Sequence, residues 1–144
     1  MDLKATIGDT VNFSIPLRWR TGAFAPGDDW FLIFTVKADL DDADNAAKIQ
    51  KTTDLGITVQ RSHAVIQILP IDTAGDGDEI PALAAGIYYW GIKAQKIADP
   101  TQVRTVATGE LELDQPVGQG VETTIDVYVA EPGISYDTQI ITYQ

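Results

Sequence analysis

Cysteine is missing from this chain altogether, which removes thiolate nucleophiles, disulfides and cysteine-ligated zinc at one stroke and leaves the redox compartment undetermined. Histidine is nearly missing. His63 is the one imidazole in the sequence, so any mechanism that needs a neutral base near pH 7 has a single residue to draw on. Basic residues are also few, 10 Lys and Arg against 21 Asp and Glu, giving a formal net charge of −11. Such a field repels phosphate backbones, and nucleic acid is not an expected partner. No apolar run approaches the ~18 residues of a membrane helix, and residues 1–6 carry no basic segment leading into an apolar one. The chain is therefore expected to be made soluble and unexported, with no membrane partner.

What the sequence does contain is enough for a core. Its 144 residues are 44% hydrophobic and 22% charged, the proportions of an ordinary globular domain that closes without staples. Apolar residues recur at every second position in several separated stretches, the period of a half-buried strand. Val11, Phe13, Ile15 and Leu17 alternate with Asn12, Ser14 and Pro16 after the turn-like Gly8-Asp9, and Pro16 predicts an edge position or a bulge. Residues 30–37 (WFLIFTVK) are apolar on both faces at first and read as a central, doubly covered strand. Further strands are expected at 48–53, 56–60, 64–69, 86–94, 103–113 and 121–129, separated by Gly, Pro, Asp and Asn clusters. Helix-like composition is confined to 43–47 and 81–85, each about one turn long.

Sequential strands joined by short turns favour a two-sheet antiparallel sandwich over a parallel sheet, which needs crossover helices. The expected fold is all-β, an immunoglobulin-like antiparallel β-sandwich with a C-terminal β-hairpin or arm. Its core is expected at Val11, Phe13, Ile15, Leu32, Phe34, Val36, Ile66, Ile68, Tyr88, Trp90, Ile92, Leu111 and Leu113, the in-phase apolar positions. Trp90 is the expected central aromatic. Such a unit needs about 100 residues, so residues 1–113 form the sandwich and 114–144 a β extension. The connector at 114–120 (DQPVGQG) precedes Val121, Thr123, Ile125, Val127 and Val129 on one face. This segment is either an arm that pairs between subunits or the last strands of the same sandwich.

Chemistry-bearing patterns are sparse. His63 lies between two strand candidates, and none of Ser14, Ser62 and Ser135 stands in a G-x-S-x-G context, so a Ser-His-Asp site is not expected. Two acidic loops, 39–45 (DLDDADN) and 72–79 (DTAGDGDE), offer oxygen ligands. Neither has the fixed acidic spacing of a calcium loop, and solvated turns are expected there rather than a metal site. Gly75-Asp76-Gly77-Asp78 lacks the lysine and the helix of a phosphate loop. Of the three tryptophans, Trp30 and Trp90 lie in apolar strands, which leaves Trp19, flanked by Arg18 and Arg20, as the one exposed platform for sugar stacking. No catalytic residue, cofactor or metal is expected.

Gly8-Asp9-Thr10 before an alternating strand, Phe34-Thr35-Val36-Lys37, Gly86-Ile87-Tyr88-Tyr89-Trp90, and Thr108-Gly109-Glu110-Leu111-Glu112-Leu113 together resemble the immunoglobulin-like N-terminal domain of phage baseplate upper proteins. The resemblance spans about residues 3–113. It implies a non-enzymatic phage virion structural protein, made in the host cytoplasm and built into a particle against copies of itself and other virion proteins. The sequence runs only a short way past the unit, where baseplate upper proteins continue into further domains, so head, head-tail joint, tail and baseplate all stay open. A carbohydrate- or receptor-binding sandwich is the alternative, and a small hydrolase the third.

Truncation after Leu113 separates the two readings of the C-terminal segment. An arm predicts a folded, soluble monomer by circular dichroism and sedimentation that no longer assembles; intradomain strands predict unfolding. A truncated chain that folds and assembles with full-length stoichiometry removes both.

Overall fold

The computed structural model describes residues 1–43 and 46–116. In chain order the elements are β1 (Asp2–Thr6), β2 (Val11–Pro16), β3 (Arg18–Trp19), β4 (Gly22–Ala23), β5 (Trp30–Lys37), β6 (Ile49–Thr53), β7 (Gly56–Gln60), β8 (His63–Ile68), α1 (Pro70–Ala74), β9 (Gly86–Lys96) and β10 (Val103–Asp114). The chain is all-β, as the alternation predicts. The expected C-terminal hairpin or arm lies outside the described residues from residue 117 onward.

Eight strands form one hydrogen-bonded order, β1-β10-β9-β5-β6-β7-β8-β2, and β3 pairs with β4 alone. The run β5-β9-β10 and the run β2-β8-β7 reproduce the C-F-G and B-E-D orders of an immunoglobulin-like sandwich. Inward residues of the first, Leu32, Phe34, Val36, Trp90, Ile92 and Leu111, share one buried cluster with Ile15, Ile57, Ala64, Ile66 and Ile68 of the second. Two pairings depart from the purely antiparallel expectation: β1 runs parallel to β10, and β6 meets β7 in a short parallel register. The first follows from β1 crossing to the other layer through residues 7–10 before β2 begins, with Ile7 N donating to Asp114 O at 2.9 Å. The second follows from the tight turn at Asp54-Leu55, which returns Gly56 beside Thr52.

Helix lies elsewhere than composition suggests. Residues 81–85 hold no helix, Ala46 N donates to Ala43 O at 2.9 Å in a single turn, and residues 44 and 45 are outside the described residues. The helix is α1, started by Pro70 at its first turn. Asp72 fastens it, taking a hydrogen bond from Leu69 N at 2.7 Å and pairing with Lys51 Nζ at 2.6 Å, both side chains mostly buried. Thr73, fully buried, accepts from Gly8 N at 2.9 Å and so ties α1 to the β1–β2 crossing.

Eleven of the thirteen expected core residues are buried; Val11 and Phe13 are half-buried. Both lie on β2, which pairs with β8 on one side and forms one end of the strand order, the edge position that Pro16 signals. Central β5 buries Leu32, Phe34 and Val36 on one face, while Phe31, Ile33, Thr35 and Lys37 on the other are half-buried, so its outer face is less covered than its composition suggests. Trp90 is the central aromatic: 3% exposed, its ring 5.9 Å from that of Phe34 and its Nε1 donating to Glu110 O at 3.1 Å. Gly109, opposite Trp90 in register, leaves space for two neighbours; a Cβ there would run into the Met1 backbone carbonyl and stand 2.8 Å from the indole nitrogen. Tyr88 Oη donates to Ala84 O at 2.7 Å, the tyrosine corner of such sandwiches at the entry to the late strand.

Replacing Trp90 by Ala is expected to lower stability by about 3–5 kcal/mol, the loss for a buried large aromatic. A chemical-denaturation midpoint close to that of the unaltered chain contradicts this placement of the core.

Candidate functional site

The turns at one end of the sandwich are set by strand direction. β2 and β9 run toward this end and β5 and β10 leave it, so the β3–β4 hairpin, the loop before β5 and the tip of the β9–β10 hairpin meet there. Backbone hydrogen bonds join them: Leu17 N to Ser62 O at 2.8 Å, Phe24 N to Leu17 O at 2.9 Å and Ile97 N to Asp29 O at 2.9 Å. The β3–β4 turn is tight enough that Arg20 adopts φ 58°, a conformation uncommon for a non-glycine residue.

A single inserted residue decides what this end contains. The β9–β10 register shifts between Thr105 and Ala107, a β-bulge, which moves Val106 into the core at 3% exposure. The same shift reverses the phase of the residues before it. Arg104, which an unbroken alternation from Leu113 and Leu111 assigns to the outer face, instead stands opposite Ala94 on the inward face, and Val103 is exposed. Its guanidinium carbon lies over two indoles, 4.9 Å from the ring centre of Trp19 and 4.6 Å from that of Trp30, with Phe24 at 6.0 Å. Arg20 lies 5.3 Å from Trp19, Lys96 lies 5.8 Å from Trp30, and the Phe24 and Trp30 rings meet edge-on at 5.4 Å. Cation–π contacts of this kind contribute about 0.5–2 kcal/mol each, more as water is excluded. They account for a positive side chain at the mouth of an apolar core.

The tryptophan expectations need two corrections. Trp30 is half-buried rather than core, because β5 begins at the open end of the sandwich. Trp19 is half-buried too, and it is no bare platform: Arg104 and Arg20 both lie against its ring. The sequence reading missed Arg104, since only the bulge brings it to the tryptophans, and Thr105, Ala107, Thr108 and Gly109 around it carry too little apolar contrast for periodicity to show the bulge.

The remaining candidates do not converge. His63 opens β8, exposed, opposite Pro16 and Gln60; Ser14 lies exposed on β2, Ser62 lies in the turn before β8, and Ser135 lies outside the described residues. Among the described residues no group of three His, Asp or Glu side chains is placed to hold a metal ion. The loop at 72–79 is ordered by its own acid: Asp76 Oδ1 accepts from Asp78 N at 2.8 Å and Ile80 N at 2.9 Å, and these bonds hold its carboxyl below the ordinary value. In the loop at 39–45, Asp42 accepts from Asp39 N at 3.2 Å. An open groove of about 510 Å³ crosses the outer side of β2, β7 and β8, lined by Asn12, Gln67 and Thr58 with Asp28 and Asp54. Both carboxylates are solvent-exposed, unlike an acid held in the apolar recess of a glycosidase. A smaller groove of about 190 Å³ lies over Gly91 between Tyr89 and Leu40.

No protein-family model matches the chain, and a search of curated proteins finds no match.

The hairpin tip beside the cationic cluster gives a pH prediction. Asp99 accepts from Thr101 Oγ1 at 2.6 Å, Thr101 N at 3.2 Å and Gln102 Nε2 at 3.3 Å, and these bonds lower its pKa from 3.8, the Thr101 hydroxyl most. A carboxyl whose folded pKa is depressed stabilises above its unfolded value and ceases to do so as pH falls through the folded one. Amide exchange at Thr101 and Gln102 is therefore expected to quicken as pH drops below 3.8, after correction for intrinsic rates, and Asp99→Asn should abolish that step. Protection that stays flat through this range contradicts the assignment.

Proposed function

We propose that this chain is a non-enzymatic structural protein of a phage virion, a sandwich module that acts by packing against copies of itself and other virion proteins. The observation that carries the reading is the sandwich itself, with the resembling segments at its structural joints. Gly8-Asp9-Thr10 makes the crossing between layers, Tyr88 forms the corner, and Gly109 makes room for Trp90 and for the Met1 backbone. The two end strands of the sheet order, β1 and β2, each have one edge without a strand partner among the described residues. Unpaired edges are where sandwich modules add neighbours. Among the described residues Ser14 and His63 are exposed on the β2 and β8 strands, in keeping with a building block.

A carbohydrate- or receptor-binding module is the second reading, favoured by the half-exposed Trp19 and Trp30 at one end. The cations already lying against both indoles weaken it, since a sugar ring stacks on the same faces.

The test is composition of the particle. Quantitative mass spectrometry of purified virions from the producing host is expected to find the chain at a fixed copy number, and gold-labelled antibody to mark a repeating position. A chain that remains wholly in the soluble lysate contradicts the proposal. The His63→Ala variant is expected to enter particles at the normal level; a hydrolytic rate in the purified protein that this variant loses, with its fold intact, overturns the non-enzymatic reading.

A further inference from the structure

β9 is a central strand, paired with β5 on one side and β10 on the other, and Gly91 stands in its middle, opposite Thr35 and Thr108. Glycine weakens a strand interior, since it loses the most backbone freedom on folding and offers no side chain to pack. Nothing in the backbone calls for it here. Its φ lies outside the left-handed region, and a Cβ built at 91 would meet only Ala107 O at 3.7 Å and Thr108 Cγ2 at 3.8 Å, both ordinary contacts. The bulge on β10 therefore leaves room for a side chain at this position. Gly91 is permitted by the fold without being required by it, in contrast to Gly109, where a Cβ collides with the Met1 backbone.

What this glycine does create is a hollow of about 190 Å³ in the outer face of β5, β9 and β10. Tyr89 and the 73% exposed Leu40 give it an apolar wall, and Thr35, Thr105 and Thr108 line it from the two neighbouring strands. Among the described residues no protein hydrogen bond uses these three threonine hydroxyls or Tyr89 Oη, whereas the hydroxyls of Thr53, Thr73 and Thr101 are each bonded to a backbone amide or a carboxylate. Lys37 and Lys93 also line the hollow. Lys37 Nζ donates to Asp42 O at 3.0 Å, and Glu110 lies opposite Tyr89 in the ladder, so both signs of charge surround the hollow and neither selects a charged occupant.

We propose that the Gly91 hollow is a binding site for a single neutral saccharide ring. Its volume is below the roughly 300–1,000 Å³ of sites for larger ligands and suits one pyranose. A pyranose has an apolar face of C–H groups and a rim of hydroxyls. Tyr89 and Leu40 match the first, and the uncommitted threonine hydroxyls, each both donor and acceptor, match the second. A side chain at 91 would occupy the place of the ring, which gives glycine a reason to stand where the fold does not demand it. The site lies on the outer face of the sheet rather than at the Trp19–Trp30 end, where cations already rest on the indoles. It goes beyond the virion reading, which gives the chain no ligand.

Backbone amide shifts of the isotope-labelled full-length chain, followed during titration with the methyl glycosides of glucose, galactose, mannose, rhamnose and N-acetylglucosamine, test it. At least one glycoside is expected to bind with a Kd on the order of 1–10 mM, moving the amides of Thr35 and of residues 89–93 and 105–108. Gly91→Val fills the hollow with a good strand former, so it is expected to melt no lower than the unaltered chain while weakening binding at least ~10-fold. Tyr89→Leu keeps the wall apolar but removes the ring face and its hydroxyl, and is expected to weaken binding about 5-fold or more. Titrations that move none of these amides up to about 100 mM glycoside, shifts that Gly91→Val leaves unchanged, or shifts confined to Trp19 and Trp30 overturn the proposal. A Gly91→Val chain that unfolds overturns it too, because glycine then answers to the fold alone. Incorporation into virions is measured separately, so either idea can fail without the other.

Discussion

The indole of Trp90 is the point at which the demands of three strands meet. Its ring lies against Phe34 of β5, its nitrogen is satisfied by the Glu110 carbonyl of β10, and its bulk is admitted by Gly109 across the ladder. Slipping β10 by one residue would place a side chain where Gly109 now stands and would turn Leu111 and Leu113 outward. One buried aromatic with one buried donor therefore fixes the β9–β10 register far more tightly than the apolar pattern alone, since an unsatisfied indole N–H in the core costs about 1–3 kcal/mol.

That fixed register has a consequence at the other end of the same hairpin. With Leu113, Leu111 and Gly109 committed to the core face, the strand continues in phase until the bulge, where Val106 enters the core and Arg104 follows it inward. The cationic cluster thus depends on two local facts on the same hairpin, a register fixed by Trp90 opposite Gly109 and an irregularity between Thr105 and Ala107 that reverses the phase. The aromatic residues around it come from different elements, Trp19 from β3, Trp30 from β5 and Phe24 from the loop between β4 and β5. Their faces, rather than an opposing carboxylate, make the position tolerable for a charge.

Legibility in the sequence followed the range of the interactions. Strands such as 30–37 and 86–94 were plain because each repeats its apolar face over several periods, and the extension of β9 to Lys96 was hidden because Gln95 and Lys96 break the pattern at its exposed end. β1 went unread: five residues with Leu3 and Ala5 inward are too short to show a period, and what makes them a strand is pairing with β10 more than a hundred positions away. α1 was hidden for a related reason. Its sequence has no helical face, and it is held by Asp72 bonding Lys51 and by Thr73 bonding Gly8, neither local. The candidate site was the least legible feature, because it is made by a bulge, and a bulge leaves no mark on alternation until the partner strand is known.

The charge pattern can be weighed in the same terms. A protein selected only for solubility would scatter its 10 basic residues among its 21 acids, since mixed signs lower self-repulsion. Here three of the cations lie within 6 Å of tryptophan rings at one end, and the mainly buried Lys51 is neutralised by Asp72 in an ion pair that joins α1 to β6. Bringing Arg20, Lys96 and Arg104 together against their mutual repulsion requires compensation, which the aromatic faces supply in part and Asp99, close enough to Lys96 to feel its charge, in part. At this end the cations share their surroundings with Asp28, Asp29 and Asp99, and Arg104 rests against the half-buried indoles of Trp19 and Trp30 rather than in an ion pair.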